Sequence, residues 1–387
     1  MMNKTLLKKA LPVFLLALCA VGLVLILRED TVPVVGEETP HEHPVNDIPL
    51  QKEEVAPAFA NLTDHKWLLG YYTVYSPNDH KSMRSLSQYH SFMKEVSTLT
   101  FDVTASGEVV GQTPLDGVSL AEASHIDSFA AISNQKGYAF DQEVAHQLLN
   151  DSQARKRAVE NALHLVTSQG YRGVNVDFEN MLPEDREPYN QFIRELSDAF
   201  HKADRQVLVS VAAKTVDAPH SKWIGAFDYA TLGRWADKVQ LMTYDEHGTW
   251  GEPGPVASYP WVRNVLTYAT SQIPAEKVLL GLPAYGYDWN LTAGKGHHKA
   301  VAWKSMPSLL QAAIKYGSNP AWDEEMRSPY LNYTAEDGAK HIVWYENIDS
   351  IKAKVQLAKQ YQVGGVAMWR MGLEDESFWQ AVEGEMK

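Results

Sequence analysis

A chain of 387 residues that is 45% hydrophobic can build one large core with attachments, or two domains. Its net charge of −13, with no basic run beyond the N-terminus, argues against nucleic acid as a partner. Its one cysteine, Cys19, falls in an apolar N-terminal segment, so the globular part has no disulfide, thiolate metal site or cysteine nucleophile.

In chain order, Lys4, Lys8 and Lys9 precede an uncharged 18-residue run, Ala10 to Leu27. As a helix it would extend about 27 Å, close to the hydrocarbon core of a bilayer. The lysines before it and Glu29 and Asp30 after it orient the body of the chain outside the cytoplasm. Residues 1–27 are therefore expected to be a membrane anchor or signal segment, an uncleaved anchor being favoured because no small-residue cleavage site closes the run. Residues 28–64 carry nine acids against two bases, with several prolines, and read as an extended acidic linker.

From about residue 65 onward, eight β-type runs follow: 67–75, 96–103, 125–133, 173–179, 206–214, 238–245, 277–286 and 364–372. Helical patterns fall between them, at 151–169, 186–203, 259–272 and 348–361. Eight strand–helix units over residues 65–387 predict a (β/α)₈ TIM barrel. The stretch of about 289–345 is too long for a connection and holds strand and helix patterns of its own. It is expected to be a small α+β insertion between strands seven and eight.

The fourth run, "GVNVDFE", carries a chemically informative row. Val174, Val176 and Phe178 alternate on one face; Asn175, Asp177 and Glu179 alternate on the other. In a barrel, catalytic groups sit at the C-terminal ends of strands, so Asn175 would lie deepest and Glu179 at the mouth. Two carboxylates about 6–7 Å apart and partly desolvated do not both ionise cheaply, so one keeps a proton near neutrality. The outermost, Glu179, is the natural donor to a leaving group.

That run resembles the fourth-strand signature of family 18 glycoside hydrolases, the chitinase-like enzymes, although Arg172 and Asn175 stand where the family usually has aspartates. "QLMTYDEHG" resembles the family's sixth strand, "GLPAYG" the seventh, "GGVAMWRMG" the eighth and "GYYTVY" the first. Within the family the likeness is greatest to the spore-cortex and germination hydrolases that act on peptidoglycan, without their N-terminal wall-binding repeats. The resemblance implies Glu179, Asp177 and Tyr244 as catalytic residues. It also implies Asn175, Asp245, Tyr71, Tyr75, Tyr285 and Trp369 as the substrate-binding set, with Trp369 as the pocket floor. It implies hydrolysis of β-linked N-acetylglucosamine polymers, peptidoglycan or chitin, by a retaining reaction in which the substrate's acetamido group assists, with no metal or other cofactor. An extracytoplasmic monomer, membrane-tethered or secreted, is expected. The alternative is a catalytically silent, lectin-like wall protein, a class that usually lacks the acid glutamate. Trp250, Trp289 and His247 are further candidates near the mouth.

Overall fold

The computed structural model describes residues 67–386 apart from Tyr138, Thr249 and Tyr316, so the expected anchor and linker lie outside the described residues. Eight parallel strands form a barrel: Trp67–Thr73, Glu95–Val103, Asp127–Ser133, Gly173–Asp177, Gln206–Ala212, Lys238–Met242, Val278–Pro283 and Gly365–Trp369. The first strand closes it by pairing on both sides, Leu69 lying opposite Glu95 of the second strand and Ala367 of the eighth. This is the (β/α)₈ architecture expected from the alternating pattern.

Helices Ser152–Ser168, Arg186–Lys202, Tyr259–Gln272 and Ile348–Gln360 occupy the anticipated runs. Asp151 caps the first of these, its Oδ1 accepting from the Gln153 (2.7 Å) and Ala154 (3.3 Å) amides. Beyond the helix end, Gly170 takes a positive φ of 76°, which only a residue without a Cβ adopts freely.

Several strands stop earlier than their apolar patterns suggest. The fourth ends at Asp177 rather than 179, the sixth at Met242 rather than 245, and the eighth at Trp369 rather than 372. Past these ends the backbone turns out of the ladder: Asn180 and Asp245 hold left-handed conformations, with φ of 54° and 58°. The candidate site residues Glu179, Tyr244 and Asp245 are thus on loops that the barrel positions.

Between the seventh and eighth strands lies a five-stranded antiparallel sheet, in the order His298–Ala302, Tyr285–Asn290, Lys340–Trp344, Ser328–Thr334, Ala321–Asp323, with helix Met306–Lys315 alongside. It begins at Tyr285, ahead of residue 289. Only Ala284, whose amide bonds the Trp369 carbonyl at 2.8 Å, separates barrel pairing from sheet pairing. A change of ladder without an intervening loop leaves no turn residue in the sequence to mark it.

Two cores result. Outside the barrel, Val174, Val176 and Phe178 face the helices, and Phe178 stacks on Phe192 (5.7 Å) and Tyr189 (6.0 Å). Each such side chain contributes roughly 1.5–3 kcal/mol on burial, which fixes the register and points the alternate residues inward. Inside, Leu69, Phe129, Leu208, Leu279 and Ala367 form an apolar plug beneath Tyr71. Below the plug, the Lys238 ammonium bonds Glu95 and lies 4.9 Å from the centre of the Phe129 ring, both charged side chains being buried.

Removing one member of that ion pair takes away the opposite charge that offsets the other's burial. Glu95→Leu or Lys238→Met is expected to cost about 3–5 kcal/mol each. The double variant Glu95→Leu/Lys238→Met is expected to recover most of that loss, read as a double-mutant cycle by denaturant unfolding.

Candidate active site

The inward row of the fourth strand leads to the mouth in three steps. Asn175 is completely buried and fully engaged: its Nδ2 donates to the Tyr71 hydroxyl (3.1 Å) and Ser97 Oγ (3.0 Å), while its Oδ1 accepts from Ser210 Oγ (3.1 Å). Tyr71 extends the network, its hydroxyl 2.8 Å from Ser210 Oγ and donating to Gln240 Oε1 at 3.2 Å. This is a connected polar layer under the site. An aspartate at 175 would lack the two N–H donors that hold Tyr71 and Ser97.

Asp177, the last residue of the strand, retains 4% of its surface. Burial raises its carboxyl above the usual carboxylate range. Glu179 is half-buried two residues beyond and is pushed well above that range, first by burial and then by the charges of Asp177 and Asp245. Both shifts favour a proton held within the pair near neutrality, the stronger upward push falling on Glu179.

Tyr244 and Asp245 follow the sixth strand. The Tyr244 ring stacks over Trp369 with centroids 6.4 Å apart, and Trp369 meets Tyr71 edge-on at 5.4 Å. Gly281 on the seventh strand makes room: a Cβ there would come within 2.9 Å of the Tyr244 ring. Burial and the neighbouring Tyr71, Asp177, Glu179 and Asp245 all raise the Tyr244 hydroxyl, so it remains a proton-bearing donor. Asp245 accepts from the hydroxyls of Tyr285 (2.7 Å) and Tyr287 (2.5 Å), both on the first strand of the inserted sheet. One wall of the site is thereby fastened to the insertion.

The structure brings Asp177, Glu179, Tyr244, Asp245, Tyr285, Tyr71 and Trp369 together around the C-terminal mouth, with Asn175 beneath them. Tyr75, past the end of the first strand, lies under the guanidinium of Arg370, the residue after Trp369, at 4.8 Å. Of the further candidates, Trp289 is only 1% exposed and packs on Tyr287 and His298, so it offers no open stacking face. His247 bonds the Glu252 carbonyl at 3.1 Å, holding its own loop. Trp250 is 61% exposed on the same loop.

Two neighbours of the site escaped the sequence pattern. Tyr287 has no motif of its own, but its period-two spacing from Tyr285 places both on one face of the inserted sheet. Asp102 is the other. Alternation from Glu95 and Ser97 puts residue 102 on the outer face, but the ladder slips between Leu99 and Phe101 and reverses the parity. Asp102 then lies opposite Ser133, which donates to it at 2.6 Å, and Ser133 lies opposite Asp177. A fourth carboxyl therefore stands at the rim, also raised by burial.

This geometry has relatives. The family model for "Glycosyl hydrolases family 18" matches residues 68–374. The chain is 38% identical over 310 residues to a Bacillus subtilis (strain 168) protein named "Uncharacterized glycosylase YvbX", covering 80% of this chain and 89% of that one. It is 31% identical over 306 residues to the "Cortical fragment-lytic enzyme" of the same organism, covering 79% and 70%. Among solved structures, a chitinase from Chromobacterium violaceum ATCC 12472 superposes with a TM-score of 0.77 at 32% identity, over 83% of this chain and 98% of that one. With the barrel, the acid pair and the stacked aromatic floor in place, the chain belongs to family 18 of the glycosyl hydrolases, as a chitinase-like glycosidase of the spore-cortex branch.

Proposed function

We propose that this glycosidase cleaves β-linked N-acetylglucosamine polymers, peptidoglycan or chitin, by a retaining reaction in which the substrate's own acetamido group is the nucleophile. The observation that carries this reading is the buried acid pair at the end of the fourth strand: burial first, and then the charges of Asp177 and Asp245, favour the protonated form of Glu179. No second carboxylate is required as a nucleophile, since the acetamido oxygen takes that part.

In the first step Glu179 gives its proton to the glycosidic oxygen as the bond to the anomeric carbon breaks. The acetamido oxygen bonds that carbon and closes an oxazolinium ring. Asp177 accepts the acetamido N–H and balances the positive ring, while the Tyr244 hydroxyl aims the acetamido oxygen. The Trp369 face lies under the reacting sugar. In the second step Glu179, now ionised, takes a proton from water; the resulting attack on the anomeric carbon reopens the ring and returns Glu179 to its starting state. Asn175 contributes by holding Tyr71 and the strand end rather than by carrying a proton.

The relatives support the substrate class: one is named as lytic toward cortical fragments and another as a chitinase. The apolar segment from Ala10 to Leu27, with lysines before it, supports a place outside the cytoplasm at the membrane, where a wall polymer is within reach.

Glu179→Gln is expected to lower kcat by about 10²–10⁴-fold while leaving saccharide binding and the unfolding midpoint near wild-type; near-normal hydrolysis by this variant would rule the mechanism out. Because the acid must carry its proton, kcat/KM is expected to fall as pH rises through the elevated Glu179 pKa. Asp177→Asn, which removes a neighbouring negative charge, is expected to slow the reaction and move that alkaline limb to lower pH in a pH–rate profile. Separate digestion of purified peptidoglycan and of chitooligosaccharides, with mass spectrometry of the products, is expected to show new N-acetylglucosamine reducing ends from at least one of them. New ends at muramic acid alone would overturn the substrate assignment.

A further inference from the structure

Glu179 lies two residues past the last paired residue of its strand, so no sheet ladder fixes its backbone. The residue after it, Asn180, already has a left-handed backbone. A general acid nonetheless has to be held to within a fraction of an ångström of the oxygen it protonates. Something other than the sheet does the holding.

Asn134, immediately after the third strand, supplies the missing contacts. Its Oδ1 accepts the Glu179 amide at 2.9 Å and its Nδ2 donates to the Glu179 carbonyl at 2.9 Å, so one side-chain amide grips the catalytic residue on both sides. The same Nδ2 donates to the Asp141 carbonyl at 3.0 Å, and the Asn134 carbonyl accepts the Asp141 amide at 2.9 Å. Asp141 in turn caps helix Gln142–Asn150, accepting from Val144 at 3.0 Å. Asn134 is completely buried, which strengthens each bond and makes any unmade one costly.

We propose that Asn134 is a positioning residue for the catalytic acid: its carboxamide acts as one further rung of the sheet, presenting to Glu179 the donor and acceptor that a neighbouring strand would offer. The proposal rests on the role given to Glu179 above. The residue type follows from the geometry. Aspartate keeps the acceptor but loses the donor, serine is too short to span the peptide, and glutamine is one methylene too long.

The test separates acid placement from general damage by varying the leaving group. An aryl glycoside of an N-acetylglucosamine oligomer, with an acidic phenol, departs with little protonation; a sugar leaving group does not. For Asn134→Ala, kcat/KM on the oligosaccharide is expected to drop about a hundredfold, with a drop of less than about tenfold on the aryl glycoside and KM nearly unchanged on both. Asn134→Asp, which retains half of the grip and guards against a failure of the alanine variant to fold, is expected to fall between alanine and wild type. Equal losses on both substrates, or no loss, would overturn the role of Asn134 while leaving the hydrolase reading intact. A wild-type protein that cleaves neither substrate would overturn both.

Discussion

The site depends on placing two carboxyl groups in a space too dry for both to be charged. Asp177 ends the fourth strand almost without solvent, and Glu179 stands beyond it under the added influence of Asp245. In water these acids would ionise independently and be useless as proton donors at neutral pH. Here the barrel wall removes the water, and mutual repulsion leaves one proton on the outer group. The rest of the molecule serves this condition: the apolar plug below, the Trp369 and Tyr244 rings beside the acids, and the tyrosines that donate to Asp245.

The barrel interior beneath is unusually polar, and its polarity is distributed with care for satisfaction. Asn175, Ser97, Ser210, Tyr71 and Gln240 form a network in which the asparagine uses both its N–H groups and its carbonyl. Such a layer holds Tyr71 against Trp369, and through it the floor of the site. A buried network anchored through both asparagine N–H groups and its carbonyl has little freedom to rearrange, which suits a support for groups that must not drift.

Much of this was legible in the sequence because it follows from periodicity. The eight apolar runs, the helices between them and the alternation of Asn175, Asp177 and Glu179 against Val174, Val176 and Phe178 all reflect a pattern that burial imposes. What could not be read depends on local breaks in that pattern. The slip in the second strand turns Asp102 inward against its parity, and left-handed residues end the fourth and sixth strands' influence early. Asn134 carries no periodic signal at all: an asparagine after a strand reads as an ordinary loop residue until its partners are seen. The inserted sheet was visible as a segment too long for a loop, but its start at Tyr285 was hidden by a direct switch of ladder.

Closure of the barrel joins the first strand to the eighth, and with it Tyr71 to Trp369. The floor of the cleft is therefore built from opposite ends of the folded domain, while its acid comes from the middle and Asp245 is braced by a later insertion. A nascent chain possesses none of the finished cavity until Trp369 has emerged and docked. The cleft is thus whole only when the eighth strand has closed against the first.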